Sequence, residues 1–309
     1  MQQPGKIGFV GLGKMGGPMA SRLTKAGLEV TVLDVDAERQ RSFVSQYPCR
    51  GAASLGEVGA ASELVITMLP DGKAVRRAVL AEHGEDCLSG SMARGTILVD
   101  MSSSSPTGTR ELGRELAAIG IEMVDAPVSG GVGKAESGML AIMAGGNLEA
   151  VQRCDSVFRF MGSKVFYTGQ LGSGHAMKAL NNMLSAAGLI AAAEVLLVGR
   201  RFGLDPDIMI EVLNSSTGRN NSTENKFEKF VFSRSFDSGF SLDLMVKDLT
   251  MAVDLARDTQ TPFIFSSLCR ELWAGARADL GQDLDHMDVV RWFEKLSNTT
   301  LEASGCKDG

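Results

Sequence analysis

The stretch GFVGLGKMGGPMA, residues 8–20, places glycines at positions 11, 13 and 16 directly after a short apolar run. The run predicts a strand and the residues after it are compatible with a helix, which is the context that a G-x-G-x-x-G fingerprint needs. There, Gly11 permits a tight turn, Gly13 lets the backbone approach a pyrophosphate, and Gly16 lets helix and strand pack closely. We therefore predict a dinucleotide-binding loop made of Gly11, Leu12, Gly13, Lys14, Met15 and Gly16. The alternative is a structural turn without a ligand.

An aspartate about 20 residues further on supports the dinucleotide interpretation. The run VTVL (30–33) predicts a second strand, and Asp34 follows it directly. A carboxylate at this place accepts hydrogen bonds from the adenosine ribose and repels the 2′-phosphate of NADP. Val35 and Asp36 come next, not an arginine, so NAD is favoured over NADP as the cofactor. The alternative is that Asp34 serves as a helix cap or turn residue, a part that Asp36 could also take.

Strand-like and helix-like segments alternate through the first half of the chain. Helix-compatible stretches such as KAVRRAVL separate apolar runs that predict strands. Besides 7–10 and 30–33, the predicted strands are 64–69, 96–100, 121–127, 139–146 and 164–169. Strands that alternate with helices indicate βαβ units and a mostly parallel sheet covered on both faces. The first half is therefore predicted to be a Rossmann-like α/β domain.

The sequence pattern changes from alternating strand-like and helix-like segments to helix-like segments after Gly169. A long run rich in alanine and leucine, residues 175–203, predicts a helix closed by Gly203, and nearly everything to about Leu296 is also helix-like. We predict a Rossmann-like dinucleotide-binding domain over 1–169 and an all-helical substrate and oligomerisation domain over 170–300, joined by the long helix. Residues 301–309 are predicted to be a tail that frays.

The totals limit the classes of function. A chain of 309 residues exceeds the usual size of one hydrophobic core, so two domains are expected. A net charge of −6 argues against nucleic acid as a partner and leaves a small anionic ligand open. The five cysteines show no C-x-x-C spacing and the three histidines lie far apart, so neither a disulfide framework nor a metal site is expected.

Targeting signals are not evident. No apolar run reaches the roughly 18 residues of a membrane helix, so no membrane partner is expected. The first predicted strand begins almost at once and leaves no room for a signal sequence. We expect a cytoplasmic protein, although a processed organellar protein would have the same features.

The segment GSGHAMKALNNML (172–184) combines small residues with a lysine and two asparagines, which helix stability alone does not favour. On a helix, Gly174, Lys178 and Asn182 share one face because they are four residues apart. The missing side chain at Gly174 would leave room for a nicotinamide ring beside Lys178. A lysine in a dry cleft has a lowered pKa and can exchange a proton near neutral pH. The alternative for any single lysine is a solvated surface position.

Three further segments carry polar residues. In DAPVSGG (125–131), Ser129 and the N–H groups of Gly130 and Gly131 could hold a carboxylate, or form an ordinary turn. The pair Lys247–Asp248 interrupts an apolar helix, a pattern typical of an exposed edge. The polar loop SSTGRNNS (215–222) could contact an acidic substrate through Arg219 or Asn220, or could be a plain connector.

Five segments in order, GFVGLGKMGGPMA, DMSSSSP (100–106), DAPVSGG, GSGHAMKALNNM and MVKDLTMA (245–252), together resemble the β-hydroxyacid dehydrogenase family. The family includes 3-hydroxyisobutyrate dehydrogenase and tartronate semialdehyde reductase. The resemblance covers nearly the whole chain. It implies an NAD-dependent oxidoreductase with a Rossmann-like domain, a helical domain and assembly as a homodimer or homotetramer.

The resemblance also assigns roles to residues. Lys178 matches the family's catalytic lysine, with Asn182 beside it. Implied substrate-binding residues are Ser129, Gly130, Gly131 and Asn182. Lys247 matches a lysine that closes over the cofactor, and Leu69, Pro70 and Ser103 match residues along the cofactor's path. The chain departs from the family pattern at three places. Ser103 replaces threonine and preserves the hydroxyl, and Lys134 replaces a small residue and could add positive charge near the ligand. The loop 215–227 does not match 3-hydroxyisobutyrate dehydrogenase, which leaves the individual substrate open.

The reaction implied is oxidation of a small 3-hydroxyacid, similar to 3-hydroxyisobutyrate, to its semialdehyde or keto acid. Hydride passes from the β-carbon to NAD, and Lys178 acts as general acid and base. One alternative is a tartronate semialdehyde reductase or another NAD(P)H-dependent carbonyl or imine reductase. Another is a nucleotide-binding protein without catalysis. The residues alone do not choose among 3-hydroxyisobutyrate, glycerate, threonate and serine.

Overall fold

The computed structural model describes residues 5–80 and 86–303. The chain separates into two compact units, Met1–Lys178 and Ala179–Gly309. The division falls inside a long helix, nine residues beyond the end of the predicted first domain. Each unit has its own cluster of buried apolar side chains.

The first unit is built on one sheet. Its strands, within the described residues, are β1 (Lys6–Val10), β2 (Glu29–Leu33), β3 (Arg50–Gly51), β4 (Leu64–Thr67), β5 (Ile97–Asp100), β6 (Glu122–Asp125), β7 (Val128–Ser129), β8 (Leu140–Gly145) and β9 (Gly162–Gly169). Their spatial order is β3-β2-β1-β4-β5-β6-β8-β7, with β9 paired to β8. The pairs from β3 to β6 are all parallel, whereas β8 runs antiparallel to β6 and β7.

The order 3-2-1-4-5-6 is that of doubly wound dinucleotide-binding sheets, in which the crevice for the ligand opens between β1 and β4. All four residues of β4 and of β5 are buried, as expected for strands covered by helices on both faces. The predicted fold class is confirmed. All seven predicted strands are present, but the two-residue strands β3 and β7 were not predicted because they are too short to show a period.

Helices alternate with these strands. They are α1 (Gly16–Lys25), α2 (Ala37–Gln46), α3 (Leu55–Ala60), α4 (Gly72–Val79), α5 (Pro106–Ala118), α6 (Gly131–Ser137) and α7 (Leu148–Met161). Most begin at a side chain that accepts hydrogen bonds from the first turn, as Asp71 does for α4 and Asn147 for α7. The start of α1 has no such cap, which matters for the site described below.

The second unit is helical, as predicted. Its elements are α8 (Ser173–Phe202, which begins in the first unit), α9 (Pro206–Asn214), α10 (Asn221–Asn225), a π-helix (Phe227–Phe232), α11 (Leu242–Asp258), α12 (Ile264–Leu280), a 3₁₀ turn (His286–Asp288) and α13 (Val289–Ser297). Trp273 and Phe227 are fully buried in its core. Leu301 is also buried and donates its N–H to Glu294, so the packed chain enters the segment predicted as a tail. Residues 304–309 of that predicted tail lie outside the described residues.

In the part of the chain that the structure describes, α8 is long and apolar enough to cross a membrane, judged by length and composition alone. Central helices of soluble proteins pass the same test. Most of the relevant stretch of α8 is buried inside the protein, which is what a core helix shows.

The half-buried amine of Lys226 lies in the helical unit. Lys226 donates to Ser185 Oγ at 3.3 Å, and its Nζ lies 3.4 Å from Nε2 of His286. The His286 ring stacks on Trp273 with centroids 6.3 Å apart. Burial lowers the pKa of Lys226 to about 8 from the ordinary 10.5, and the Asp285 carboxylate opposes part of that shift.

We expect the contribution of Lys226 to the stability of the protein to rise with pH between about 8 and 10.5. In that window the unfolded chain binds a proton that the folded chain has released, so deprotonation favours the folded state. The gain is on the order of 2 kcal/mol, and Lys226→Met should remove it. The pKa of His286 is also lowered, mainly by burial. The stability that its deprotonation adds is complete above its ordinary pKa of 6.5 and does not change in this pH window. Chemical denaturation at pH 7.5 and 10.5 measures the effect as the difference between Lys226→Met and wild type, because the Cys154 and Cys269 thiols, whose pKa values burial raises to about 12 and about 11, lower the stability of both proteins above about pH 9. Lys229→Met, an exposed neighbour, is the control and should keep the wild-type pH dependence; an unchanged pH dependence in Lys226→Met would contradict this role of Lys226.

Candidate active site

The backbone of the glycine loop turns tightly at Gly11 and packs closely against the start of α1 at Gly16, as predicted from the sequence. Gly11 has φ +100°, in the left-handed region, and a Cβ there would overlap the carbonyl oxygen of Met68. A Cβ on Gly16 would overlap the carbonyl oxygen of Gly11, so the loop and the start of α1 pack closely. A Cβ on Gly13 would meet no heavy atom within 4 Å. The backbone at Gly13 is therefore open to the approach of a pyrophosphate, whereas Gly11 and Gly16 are needed by the fold.

The start of α1 is suited to an anion. Met15, at the N-cap, makes no side-chain capping bond, and the first turn contains no acidic residue. Unsatisfied N–H groups and the helix dipole favour a phosphate at such an end. Lys14 is exposed beside it and Leu12 is buried beneath it. These features fit a dinucleotide.

Asp34 is buried and holds the glycine loop. Its Oδ2 accepts from the N–H of Leu12 at 2.6 Å, and its Oδ1 accepts from the N–H of Asp36 at 2.8 Å. Asp36 caps α2, the part that the sequence left open between the two aspartates. Arg39 donates to Asp34 Oδ1 at 3.1 Å and pairs with Asp36 at 3.2 Å. Arg39 does not follow Asp34 directly in the sequence, so it was not predicted to pair with it, but α2 brings its guanidinium back to the carboxylate.

The loops after β4 and β5 are bonded to each other. The N–H of Leu69 donates to Ser102 Oγ at 2.9 Å, and the N–H of Ser102 donates to Asp100 Oδ1 at 3.0 Å. Asp100 is fully buried. Ser103 is half-buried and Pro70 is exposed. Because β1, β4 and β5 are parallel, the residues predicted to line the cofactor meet at the carboxyl edge that also holds the glycine loop.

The predicted carboxylate-binding turn follows β7. Ser129 pairs with Ala141 of β8 and is half-buried. Gly130 has φ +141°, and a Cβ there would meet the side-chain carbons of Lys134 at 2.7–2.8 Å. The stem of Lys134 therefore lies across the turn, and Lys134 is exposed. This places a cation next to Ser129, Gly130 and Gly131.

The start of α8 corrects one interpretation. A Cβ on Gly174 would overlap the carbonyl oxygen of Met143 and come within 2.9 Å of the Asp125 carboxylate. Gly174 is thus needed for the close approach of α8 to the sheet, so its side of the helix holds no space for a nicotinamide ring. Lys178 follows one turn later and is half-buried.

Asn182 and the pair Lys247–Asp248 are connected in the helical unit. Asn182 is buried and donates its amide N–H to Asp248 Oδ2 at 2.6 Å. Lys247 Nζ lies 3.4 Å from the other oxygen of Asp248, which is only 1% exposed. The expectation of an exposed edge at this pair was wrong, because α11 turns the carboxylate inward toward α8. Asp248 orients the Asn182 amide, a role that sequence reasoning missed.

In the polar loop 215–222, Asn220 has a structural role. Asn220 accepts from the N–H groups of Ser222 and Thr223 and forms a capping box at α10. Arg219 is exposed and lies 3.6 Å from Glu224. Asn220 is committed to the backbone, so the connector interpretation is the better one for it.

Metal ligation has no support in the part of the chain that the structure describes, where no three His, Cys, Asp or Glu side chains gather. Four free cysteines, at positions 49, 87, 154 and 269, lie within that part, and burial raises the pKa of Cys154 to about 12. Cys154 is therefore an unreactive core residue. Cys306 and His83 lie outside the described residues.

Two family models match the chain. One, described as the NAD binding domain of 6-phosphogluconate dehydrogenase, matches residues 6–169. The other, described as NAD-binding of NADP-dependent 3-hydroxyisobutyrate dehydrogenase, matches residues 172–293. The first match alone spans more than half of the chain.

Curated relatives and solved structures match over nearly their whole length. The 2-(hydroxymethyl)glutarate dehydrogenase of Eubacterium barkeri is 34% identical over 302 residues, 97% of this chain and 99% of that protein. The 3-hydroxyisobutyrate dehydrogenase of Pseudomonas aeruginosa is 37% identical over 295 residues, 93% of this chain and 98% of that protein. The structure of Mycobacterium tuberculosis 3-hydroxyisobutyrate dehydrogenase with L-serine has a TM-score of 0.84 and 31% identity, and the match covers 94% of this chain and 99% of that one.

Proposed function

The chain belongs to the β-hydroxyacid dehydrogenase family, and from that membership we propose that it reversibly oxidises a small 3-hydroxyacid, similar to 3-hydroxyisobutyrate, to its semialdehyde or keto acid. Its relatives are hydroxyacid dehydrogenases with NAD-binding domains, and this chain is an enzyme of that class. One observation carries the finer proposal. The first turn of α8 is hydrogen-bonded to Asp125 at the sheet edge that holds the glycine loop, and half-buried Lys178 follows one turn later.

The residues proposed to hold the cofactor are those whose geometry fits a dinucleotide. The N–H groups from Gly13 to Gly16 would bind the pyrophosphate, because those of Gly11 and Leu12 donate to Leu33 and Asp34. Asp34 would bind the adenosine ribose. Leu69, Pro70 and Ser103 would line the remainder, and Lys247 would close over it. When bound, NAD supplies the hydride acceptor for the oxidation.

Lys178 is proposed to take the proton of the substrate hydroxyl at its Nζ during oxidation and to return it during reduction. Such proton transfer contributes about 10²–10⁴-fold to a rate. Ser129 Oγ and the N–H groups of Gly130 and Gly131 would hold the substrate carboxylate. Asn182, its amide fixed by Asp248, would orient the hydroxyl oxygen. Holding the reacting groups in place adds to the rate by removing the entropy cost of alignment.

Lys134 favours a second candidate for the substrate. Its stem crosses Gly130, so its ammonium lies beside the turn proposed to bind the first carboxylate. A second anionic or polar group on the acid would gain from that charge. Among the relatives, the E. barkeri enzyme is named for 2-(hydroxymethyl)glutarate, which carries two carboxylates. Reduction of tartronate semialdehyde remains the alternative reaction of the same site.

We expect NAD to support at least about tenfold higher kcat/KM than NADP. A 2′-phosphate next to Asp34 and Asp36 would meet two carboxylates, of which Arg39 neutralises only one charge. Arg39→Met should widen the preference because it removes that cation and leaves both carboxylates. Initial rates with the two cofactors measure the ratio. An equal rate with NADP, or a preference that Arg39→Met narrows, would contradict the role given to Asp34.

The substrate is tested by a screen for NAD reduction across C3 and C4 hydroxyacids, with 2-(hydroxymethyl)glutarate added. Turnover of a 3-hydroxyacid supports the proposal. A complete lack of turnover, in a preparation that binds NADH, would instead favour a nucleotide-binding protein without catalysis.

We also propose that the enzyme is cytoplasmic and forms homodimers or homotetramers through its helical domain. Large apolar side chains share one face of α8 and are exposed: Leu184 by 77%, Val198 by 71% and Phe202 by 84%. Residues 184 and 202 are five helical turns apart, so these side chains form a stripe that a second copy of the chain would cover.

A further inference from the structure

We infer that His175 is a positioning residue that fixes the first turn of α8, and with it Lys178, on the carboxyl edge of the sheet. The inference rests on the proposed function of Lys178. His175 is 1% exposed, precedes Lys178 by one helical turn and belongs to the same compact unit. Neither the reaction proposed above nor any motif of the sequence uses its imidazole.

The backbone of this turn is held by a buried carboxylate. Asp125, at the end of β6, accepts from the N–H of Gly172 and from the N–H of His175, each at 2.7 Å. N–H groups at the start of a helix have no partner within the helix, and here one side chain of the sheet satisfies two of them. The absence of a Cβ at Gly145 and Gly174 permits this approach. The start of α8 is therefore anchored to the sheet.

The imidazole adds a second anchor of a different kind. Its Nδ1 lies 2.8 Å from the hydroxyl oxygen of Thr109 on α5 and 3.8 Å from Asp125 Oδ2. Its Nε2 lies 3.6 Å from Asp100 Oδ2 and makes no hydrogen bond within the described residues. The ring thus stands between two carboxylates that are both fully buried.

Asp100 links this ring to the loops proposed to line the cofactor. Besides facing His175, it accepts from Thr67 and Ser102 on Oδ1 and from Ser104 on Oδ2. Ser102 in turn accepts from the N–H of Leu69. The buried carboxylate of Asp100 therefore helps to position the loops after β4 and β5, and it also faces the side of α8 that His175 occupies.

The consequence for Lys178 follows from helix geometry. Residues three apart lie on neighbouring parts of a helix surface, so a rotation or shift of the first turn moves both side chains together. Without the imidazole, Thr109 and Asp100 lose the group between them, and the turn can relax toward either side. A misplacement of about 1 Å at a reacting group costs up to about 10²-fold in rate. We therefore expect a loss in kcat larger than the loss in cofactor binding.

Three variants of the full-length enzyme test this inference. His175→Leu removes both polar contacts, His175→Asn keeps an amide near Thr109 only, and His175→Gln extends an amide toward Asp100. Because the hydrogen bond of the ring is the one between Nδ1 and Thr109, we expect about 10–100-fold lower kcat for Leu and about tenfold for Gln, with Asn within about threefold of wild type. The KM for NAD and the Kd of NADH should stay within about twofold in all three.

A second readout does not need turnover. The rate at which an amine-specific reagent labels Lys178, followed by peptide mass spectrometry at fixed pH, reports the surroundings of its Nζ. Labelling should change in His175→Leu or His175→Gln and return toward wild type in His175→Asn. Labelling of exposed Lys164 is the internal control and should not change.

The outcomes separate this inference from the proposed function. If the wild-type chain oxidises no hydroxyacid, the proposed function fails, while the labelling still tests the position of Lys178. If folded His175→Leu and His175→Gln keep wild-type kcat and labelling, the inference is overturned. It is also overturned if Leu, Asn and Gln all lower the melting temperature while kcat per folded molecule stays constant, because that pattern is structural. If His175→Leu does not fold, the Asn and Gln pair decides.

Discussion

Lys178→Met lowers kcat for hydroxyacid oxidation by about 10²–10⁴-fold, the range that general acid–base catalysis contributes. The thioether chain keeps the length and apolar contacts of the lysine stem but cannot accept or return a proton. Cofactor contacts are assigned to the glycine loop and Asp34, which the substitution leaves intact. The Kd of NADH should therefore stay within about threefold of wild type.

Steady-state kinetics and fluorescence titration of NADH measure the two parts separately. Lys164→Met is the matched control, because Lys164 is an exposed lysine on β9 that no step uses. The control should keep wild-type kcat. If Lys178→Met retains more than about a tenth of the wild-type kcat, Lys178 is not the proton acceptor.

Gly13→Ala weakens NADH binding by about 10–100-fold while leaving the fold intact. An added Cβ at this position meets no atom of the protein, so the melting temperature should not change. The methyl group would instead occupy the space through which a pyrophosphate approaches the backbone. Loss of hydrogen bonds to a charged group costs about 1.5–3 kcal/mol, which corresponds to the weakening stated.

Gly16→Ala provides the contrasting variant. Its Cβ would overlap the carbonyl oxygen of Gly11, so the loop must shift even without a ligand. Overpacking of this kind costs about 1–3 kcal/mol of stability. Thermal melts and NADH titrations of both variants are the measurement. Stable Gly13→Ala protein with wild-type affinity for NADH would place the pyrophosphate elsewhere.

The parts of the fold that were predicted from the sequence depend on short-range patterns. The glycine spacing after a strand indicates a phosphate-binding turn because each glycine meets a local steric demand. The buried strands and the long apolar helix can be recognised from the period and length of their apolar runs. The resemblance to the family then placed Lys178 and Asn182 on one helix, where the structure has them.

The errors concern contacts between segments distant along the chain. The missing side chain of Gly174 was interpreted as space for a nicotinamide ring. A glycine is instead required there because the sheet brings Met143 and Asp125 next to this position. The pair Lys247–Asp248 was interpreted as the exposed edge of a helix, although Asp248 is buried and accepts a hydrogen bond from Asn182 of α8. A charged residue beside a lysine gives no local sign of burial, and only the packing of helices decides it.

Arg39 and His175 show the same limit. Arg39 reaches Asp34 because α2 turns back over the end of β2, and a search restricted to the next residue misses it. His175 was counted only as one of three scattered histidines, with no metal spacing. Its contacts come from α5, β5 and β6, so no sequence pattern could have found them.

Transfer of deuterium tests the proposed reaction itself. The enzyme is incubated with NAD and with 3-hydroxyisobutyrate, glycerate, serine, threonate and 2-(hydroxymethyl)glutarate in turn, each deuterated at the carbon that bears the hydroxyl β to the carboxylate. Mass spectrometry of the reduced cofactor then shows whether the label has moved. We predict deuterated NADH from at least one of these acids, and none from the Lys178→Met variant over the same time. Unlabelled or absent NADH with every acid, from protein that binds NADH, would contradict the assignment of this chain as a 3-hydroxyacid dehydrogenase.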